Sequence, residues 1–186
     1  DGIAKAFEVY SGFLDENVTS VTDEKTFSLM IETEYGSASE VLKAYASASE
    51  NIKIKTGTGN IHVENVSANT LDLSVSTGGV AVSNVICEGD VKINVSTGKT
   101  NLTNIECKNV VSNGNTGDIS LNNVIAAEKF SIERSTGHVR FDGSDAVEIL
   151  VKTDTGDVRG SLLADKIFIV KTDTGNVDVP KTVTGG

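Results

Sequence analysis

From residue 52 onward, apolar and polar side chains alternate in short, evenly spaced runs. Leu71, Leu73 and Val75 alternate with Asp72 and Ser74, and Val91, Ile93 and Val95 with Lys92 and Asn94. Ile52 and Ile54, Phe130 and Ile132, Ile149 and Val151, and Phe168 and Val170 continue the series. Alternation at period 2 predicts strands with one buried face. A Thr-Gly pair follows each run, with its glycine at Gly59, Gly78, Gly98, Gly117, Gly137, Gly156 and Gly175, at intervals of 19 or 20 residues. Aligned on these glycines, the residue two on is Ile61, Val80, Thr100, Ile119, Val139, Val158 or Val177, and the residue four on is mostly apolar as well. The residue three on is His62, Ala81, Asn101, Ser120, Arg140, Arg159 or Asp178, as expected of a wet outer face. One period is therefore two short strands and two corners. So short a coil cannot bury its apolar face alone and must stack on its neighbours. The pattern predicts an all-β, single-domain β-solenoid of about seven coils. With strands ~4.8 Å apart, that is a rod of roughly 30 Å.

The corners carry their own signals. A glycine at each supplies a positive φ that a Cβ penalises. Six residues past the corner stand Asn65, Asn84, Asn104 and Asn123, which in register form a ladder of side-chain amides along the rod. A polar ligand stripe is the functional alternative. Nine past the corner, Cys87 and Cys107 share a column with Ala68, Ala126 and Ala146. Small residues at a tight corner account for the column, and free buried thiols are expected. The parallel stacking geometry does not favour a disulfide between them.

Residues 1–50 differ from the rest. They hold ten acidic and three basic residues, six of the nine aromatics and no Thr-Gly repeat. Phe27, Leu29 and Ile31 alternate with polar or flexible neighbours and predict a strand, while residues 39–46 read as a short helix or a further strand. A solenoid has to cover its first coil against end-to-end strand addition. The division expected is thus an acidic, aromatic-rich capping segment at 1–50 and the solenoid at 51–186, the latter cut short at Thr184-Gly185-Gly186. An acidic partner-binding module is the other reading of the first segment. Near the far end, Leu150, Ile167 and Ile169 fall on the outward face, which suggests either a contact surface or a local register shift.

Charge and composition narrow the function classes. The net charge is −10, and with no basic run along the sequence, nucleic acid and anionic membranes are excluded as partners. No apolar run is long enough to span a bilayer, so a membrane anchor would have to come from segments outside this chain. Two cysteines are too few for a disulfide framework. His62 and His138 lie four coils apart, and no nucleophile–base set or phosphate loop is present. The best cation constellation is Asp154, Asp157 and Asp173, a weak calcium candidate because solvated corner pairs with Lys152 and Lys171 explain it as well. No cofactor, catalytic residue or established metal site is expected.

The segments Asn115-Thr116-Gly117-Asp118-Ile119, Asp154-Thr155-Gly156-Asp157-Val158 and Asp173-Thr174-Gly175-Asn176-Val177 resemble a bacterial adhesin-type repeat domain of unknown function with Thr-Gly-Asp-Val repeats. The resemblance covers roughly residues 50–186. It implies a β-solenoid at the cell envelope or outside the cell. Three functions then compete. The first is a non-enzymatic cell-surface binding module for a glycan or protein. The second is a structural or regulatory envelope domain that self-associates through its C-terminal end. The third is a polysaccharide-active enzyme, which needs clustered outward carboxylates.

Overall fold

The computed structural model describes residues 18–23, 26–33, 50–163 and 168–179. Among these residues thirteen strands follow one another: β1 (Val18–Asp23), β2 (Thr26–Thr33), β3 (Glu50–Thr58), β4 (Ile61–Ala68), β5 (Thr70–Thr77), β6 (Val80–Cys87) and β7 (Asp90–Thr97), then β8 (Thr100–Thr116), β9 (Ile119–Thr136), β10 (Val139–Thr155), β11 (Val158–Leu162), β12 (Phe168–Thr174) and β13 (Val177–Asp178). β1 and β2 form an antiparallel pair, and β2 then runs parallel to β3. The strand read from Phe27, Leu29 and Ile31 is β2. The expected helix or strand at 39–46, the aromatics Phe7, Tyr10, Phe13, Tyr35 and Tyr45, Ile167 and Thr184-Gly185-Gly186 lie outside the described residues.

From β3 onward every pairing is parallel and joins residues about one coil apart: β3 pairs with β5 and β4 with β6, and the long strands β8, β9 and β10 pair with one another in turn. One stack runs through Ile52, Leu71, Val91, Val110, Phe130, Ile149 and Phe168. The opposite stack runs through Ile61, Val80, Thr100, Ile119, Val139, Val158 and Val177. Seven glycine corners thus enclose a β-solenoid of about 6 turns. Inward residues of the two stacks meet in one continuous narrow core of valine, isoleucine and leucine. The row of apolar side chains at period 2 is what fixes this register, because a slip by one residue turns every one of them to water.

Two features depart from the simple two-strand coil. First, β4, β6, β8 and β9 each bend after their glycine corner. Asn65, Asn84, Asn104 and Asn123 have φ of 52–56°, a left-handed conformation asparagine tolerates better than other side chains. The bend resets the alternation: Ile61 and Val63 point inward before Asn65, and Val66 and Ala68 after it. Gly143 repeats the bend with φ 54° and no side chain, which ends the column. Second, the far corner is tight enough that β8, β9 and β10 run round it as single strands, with register shifts at Cys107/Asn109 and Ala146/Glu148.

The core also contains a guanidinium. Arg134 is 2% exposed and fills an inward column otherwise held by Val95, Gly114 and Thr153. Its Nη2 donates to Ser112 Oγ at 2.8 Å and to Thr100 Oγ1 at 3.4 Å, and its Nη1 to the Glu133 carbonyl at 3.1 Å. Gly114 makes the room, since a Cβ there would stand 2.6 Å from Nη1. Thr100, Ser112, Gly114 and Arg134, each an exception to the apolar pattern, are thereby one polar cluster. Burial pulls the guanidinium down to about 10.

Candidate functional site

The asparagine bend shapes the outer surface. Side chains on either side of it splay apart, and stacking repeats the angle coil after coil, so a trough runs along the rod. It has a volume of about 260 Å³, with Asn84, Asn104 and Asn123 on one wall and Ile86, Glu106 and Ile125 on the other. The latter three are consecutive in one outward row. Ile86 is 57% exposed, where the preceding coil places Ser67.

The asparagine wall is ordered by its own hydrogen bonds. Nδ2 of Asn84 donates to Asn65 Oδ1 at 3.1 Å, Asn104 to Asn84 at 3.0 Å and Asn123 to Asn104 at 3.0 Å. A primary amide has two N–H groups and two carbonyl lone pairs. Asn84 and Asn104 each spend one of each on the ladder and Asn123 spends one N–H, so every rung of the wall keeps at least one N–H and one lone pair for a ligand. The trough therefore offers a donor and an acceptor at every coil, beside an apolar strip. Glu106 puts a negative charge in its middle, which favours a neutral occupant over an anionic one.

The seven corner glycines all have positive φ, from 131° to 153°, and each of Gly59, Gly78, Gly98, Gly117, Gly137 and Gly156 donates its N–H to the threonine carbonyl of the next coil. The residue after the glycine has a structural task. Asn60 Oδ1 accepts the Gly79 N–H at 2.7 Å, Asp118 Oδ1 the His138 N–H at 2.9 Å, His138 Nδ1 the Asp157 N–H at 2.9 Å and Asp157 Oδ1 the Asn176 N–H at 2.8 Å. A Thr-Gly-Asp sequence is thus a device for stacking: its carboxylate satisfies an amide one coil further on. Gly79 and Lys99, without such an acceptor, leave this chain of bonds broken.

The three acidic residues considered for calcium are not gathered into one site. Asp157 is held by the Asn176 N–H and by Arg159 Nη2 at 2.8 Å. Asp173 pairs with Lys171 at 3.4 Å, and Asp154 lies exposed on the near side of the Gly156 corner. Among the described residues no three His, Cys, Asp or Glu side chains converge as a metal site. Cys87 and Cys107 are free and buried, and burial pushes both thiols up to about 12. His62 is half-buried and His138 exposed, in different rows. Leu150 pairs in register with Ile169, so the outward apolar pair there is no register shift; Ile169 is 60% exposed.

Sequence reasoning placed the asparagines in register but not the trough, because the bend that opens it is invisible in period-2 alternation. The signal was present: the apolar positions jump from four to seven residues past Gly59, Gly78, Gly98 and Gly117, as from Val63 to Val66. Ile86 and Ile125 then follow as outward residues.

The chain matches the family model of Toastrack DUF4097 over residues 4–123 and again over 88–184. No curated protein and no solved structure matches.

Proposed function

The chain belongs to the Toastrack family DUF4097, and from that footing we propose that it is a non-catalytic, adhesin-type binding module of the cell envelope that holds a neutral glycan chain in the asparagine trough. The carrying observation is the trough itself, with free amide donors and acceptors repeated at each coil beside exposed Ile86. A sugar presents hydroxyls that both donate and accept, and C–H faces that pack on apolar side chains. The trough meets both needs, and its periodicity suits a polymer. Binding without catalysis is supported by the dispersal of the outward carboxylates, several of which are tied to lysines one coil away, as in Lys53–Asp72 and Lys129–Glu148.

A glycan array read with the wild-type protein and with Ile86→Ser tests this reading. Serine already occupies the row at Ser67, so the variant keeps the fold. Retention of a neutral oligosaccharide by the wild type and its loss in Ile86→Ser are expected. A blank array, together with ligands emerging only from a matrix-protein screen, contradicts the glycan assignment.

A second reading, an envelope scaffold built by self-association, is favoured by the outward apolar pair Leu150 and Ile169. Light scattering decides it. A dimer or larger species that Ile169→Lys dissolves supports this reading, and a strict monomer removes it.

A further inference from the structure

Stacking creates a cationic cluster that the linear sequence does not contain. Arg140 and Arg159 are two of only three arginines in a chain of net charge −10. The coil register sets them directly side by side on the outward face of β10 and β11. In the three coils before them the same row reads Ala81, Asn101 and Ser120, and in the coil after them Asp178. Like charges in direct cross-strand positions repel, so the pair works against the fold unless something lies between them.

Only one of the two is neutralised. Arg159 Nη2 stands 2.8 Å from Asp157 Oδ2. Among the described residues no carboxylate lies within ion-pair distance of Arg140. Asp157 is committed where it stands, since its other oxygen accepts the Asn176 N–H at 2.8 Å. The third member is His138, whose side chain is 60% exposed. Its Nδ1 accepts the Asp157 N–H, which leaves the proton of the neutral ring on Nε2 as a further donor. His138, Val139, Arg140, Asp157 and Arg159 together line a cleft of about 130 Å³.

We infer that this cleft is an oxyanion-binding site, with the Arg140 guanidinium as the principal partner of a carboxylate, phosphate or sulfate group and Arg159 and His138 as its flanking cations or donors. The planar fork of arginine matches such groups with two parallel hydrogen bonds. A bound oxyanion also removes the repulsion between the two guanidinium groups. The cleft lies two to three coils along the rod from the middle of the trough and differs from it in charge, so it recognises a different chemical group. Exposed charges of this kind bind single ions weakly and in a salt-dependent way. A polymer carrying repeated oxyanions gains from rebinding at the same cleft.

The test is a titration of the ¹⁵N-labelled protein with inorganic phosphate, sulfate, glucuronate and polyglucuronate, in parallel for the wild type, Arg140→Ser and Ile86→Ser. Serine at 140 copies Ser120 in the same row, and a wild-type circular dichroism spectrum verifies that it folds. Saturable shifts at His138, Arg140 and Arg159 are expected. They should weaken at least tenfold in Arg140→Ser and on adding salt, and persist in Ile86→Ser. A response to the small ions assigns the site to the oxyanion itself, and a response to polyglucuronate alone assigns it to a chain-borne carboxylate. Absence of saturable binding for all four probes, or equal binding by Arg140→Ser, overturns the inference. Neutral-glycan binding in the trough is read separately, through Ile86→Ser, so either assignment can fail alone.

Discussion

Replacing one corner glycine by alanine separates two reasons for glycine at that position. In Gly117, φ is 131°, and a Cβ would overlap the Gly98 carbonyl oxygen and stand 2.5 Å from its carbonyl carbon. Ordinary carbon–carbon separation is about 3.5 Å, so the neighbouring coil would have to move by about 1 Å. The bonds nearest that contact, Gly98 N–H to Thr116 O and Gly117 N–H to Thr136 O, are both 2.8 Å long. Lengthening one or two of them forfeits about 1 kcal/mol each, and the glycine-only dihedral costs a further ~1–3 kcal/mol. The total for Gly117→Ala is about 2–5 kcal/mol. Gly143 is the control. Its φ is also positive, at 54°, but the nearest atom to an added Cβ is Leu163 Cδ2 at 3.9 Å. Gly143→Ala therefore pays only the left-handed backbone, about 1–2 kcal/mol. Urea unfolding followed by far-ultraviolet circular dichroism, with unchanged m-values, measures both. If Gly117→Ala is no more destabilising than Gly143→Ala, the corners do not pack as described, and glycine is there for its dihedral alone.

Four further outcomes follow from the same geometry. Gly143→Asn adds a rung to the ladder, since four preceding asparagines adopt the same backbone; it should melt above Gly143→Ala and at or above the wild type. Ser112→Ala strips a 2.8 Å bond from the buried guanidinium and should lower stability by about 1–3 kcal/mol, whereas Arg134→Met, which removes the buried charge itself, should cost less or stabilise; the reverse order in urea midpoints refutes the account of the polar cluster. With both thiols pushed up to about 12, roughly one part in 10,000 is thiolate at pH 8, so Cys87 and Cys107 should react with a disulfide reagent only on unfolding; rapid reaction in the native state contradicts their burial. The Asn176 N–H, with Arg159 and His138, lowers the Asp157 carboxyl below its usual 3.8, so its contribution is complete above that pH and is lost as pH falls through the folded value; Asp157→Asn should flatten this acid limb of the melting curve, and an unaltered limb counts against the Asp157 bonds.

The repeat made most of the fold legible, because a Thr-Gly pair every 19 or 20 residues and apolar alternation leave few arrangements besides a stacked coil. The asparagine column was legible as a ladder but not as a bend. Its left-handed φ is a single-residue event, and its only trace is the jump from Val63 to Val66. Thr100, Ser112, Gly114 and Arg134 interrupt the apolar pattern at separate points of the chain, and nothing in their spacing joins them. Their union depends on a side chain reaching across the core. The sites were less legible for a related reason. Ile86 and Ile125, or Arg140 and Arg159, become neighbours only once the register is known, so an acidic chain with no basic run along the sequence still carries a local cationic pair. Of the three carboxylates read as a possible cation site, Asp157 has a structural task instead, because its Oδ1 accepts the Asn176 amide of the next coil, and Asp173 pairs with Lys171.

The reading of the trough is tested most directly by mapping the contact itself. An oligosaccharide retained on the array is titrated into the ¹⁵N- and methyl-labelled protein, and the shifted resonances are placed on the rod. The account predicts saturable shifts of the Asn84, Asn104 and Asn123 side-chain amides and of the Ile86 and Ile125 methyl groups. Shifts confined to the opposite stack, along Lys53, Asp72 and Lys92, or none at all at saturating sugar, would contradict it.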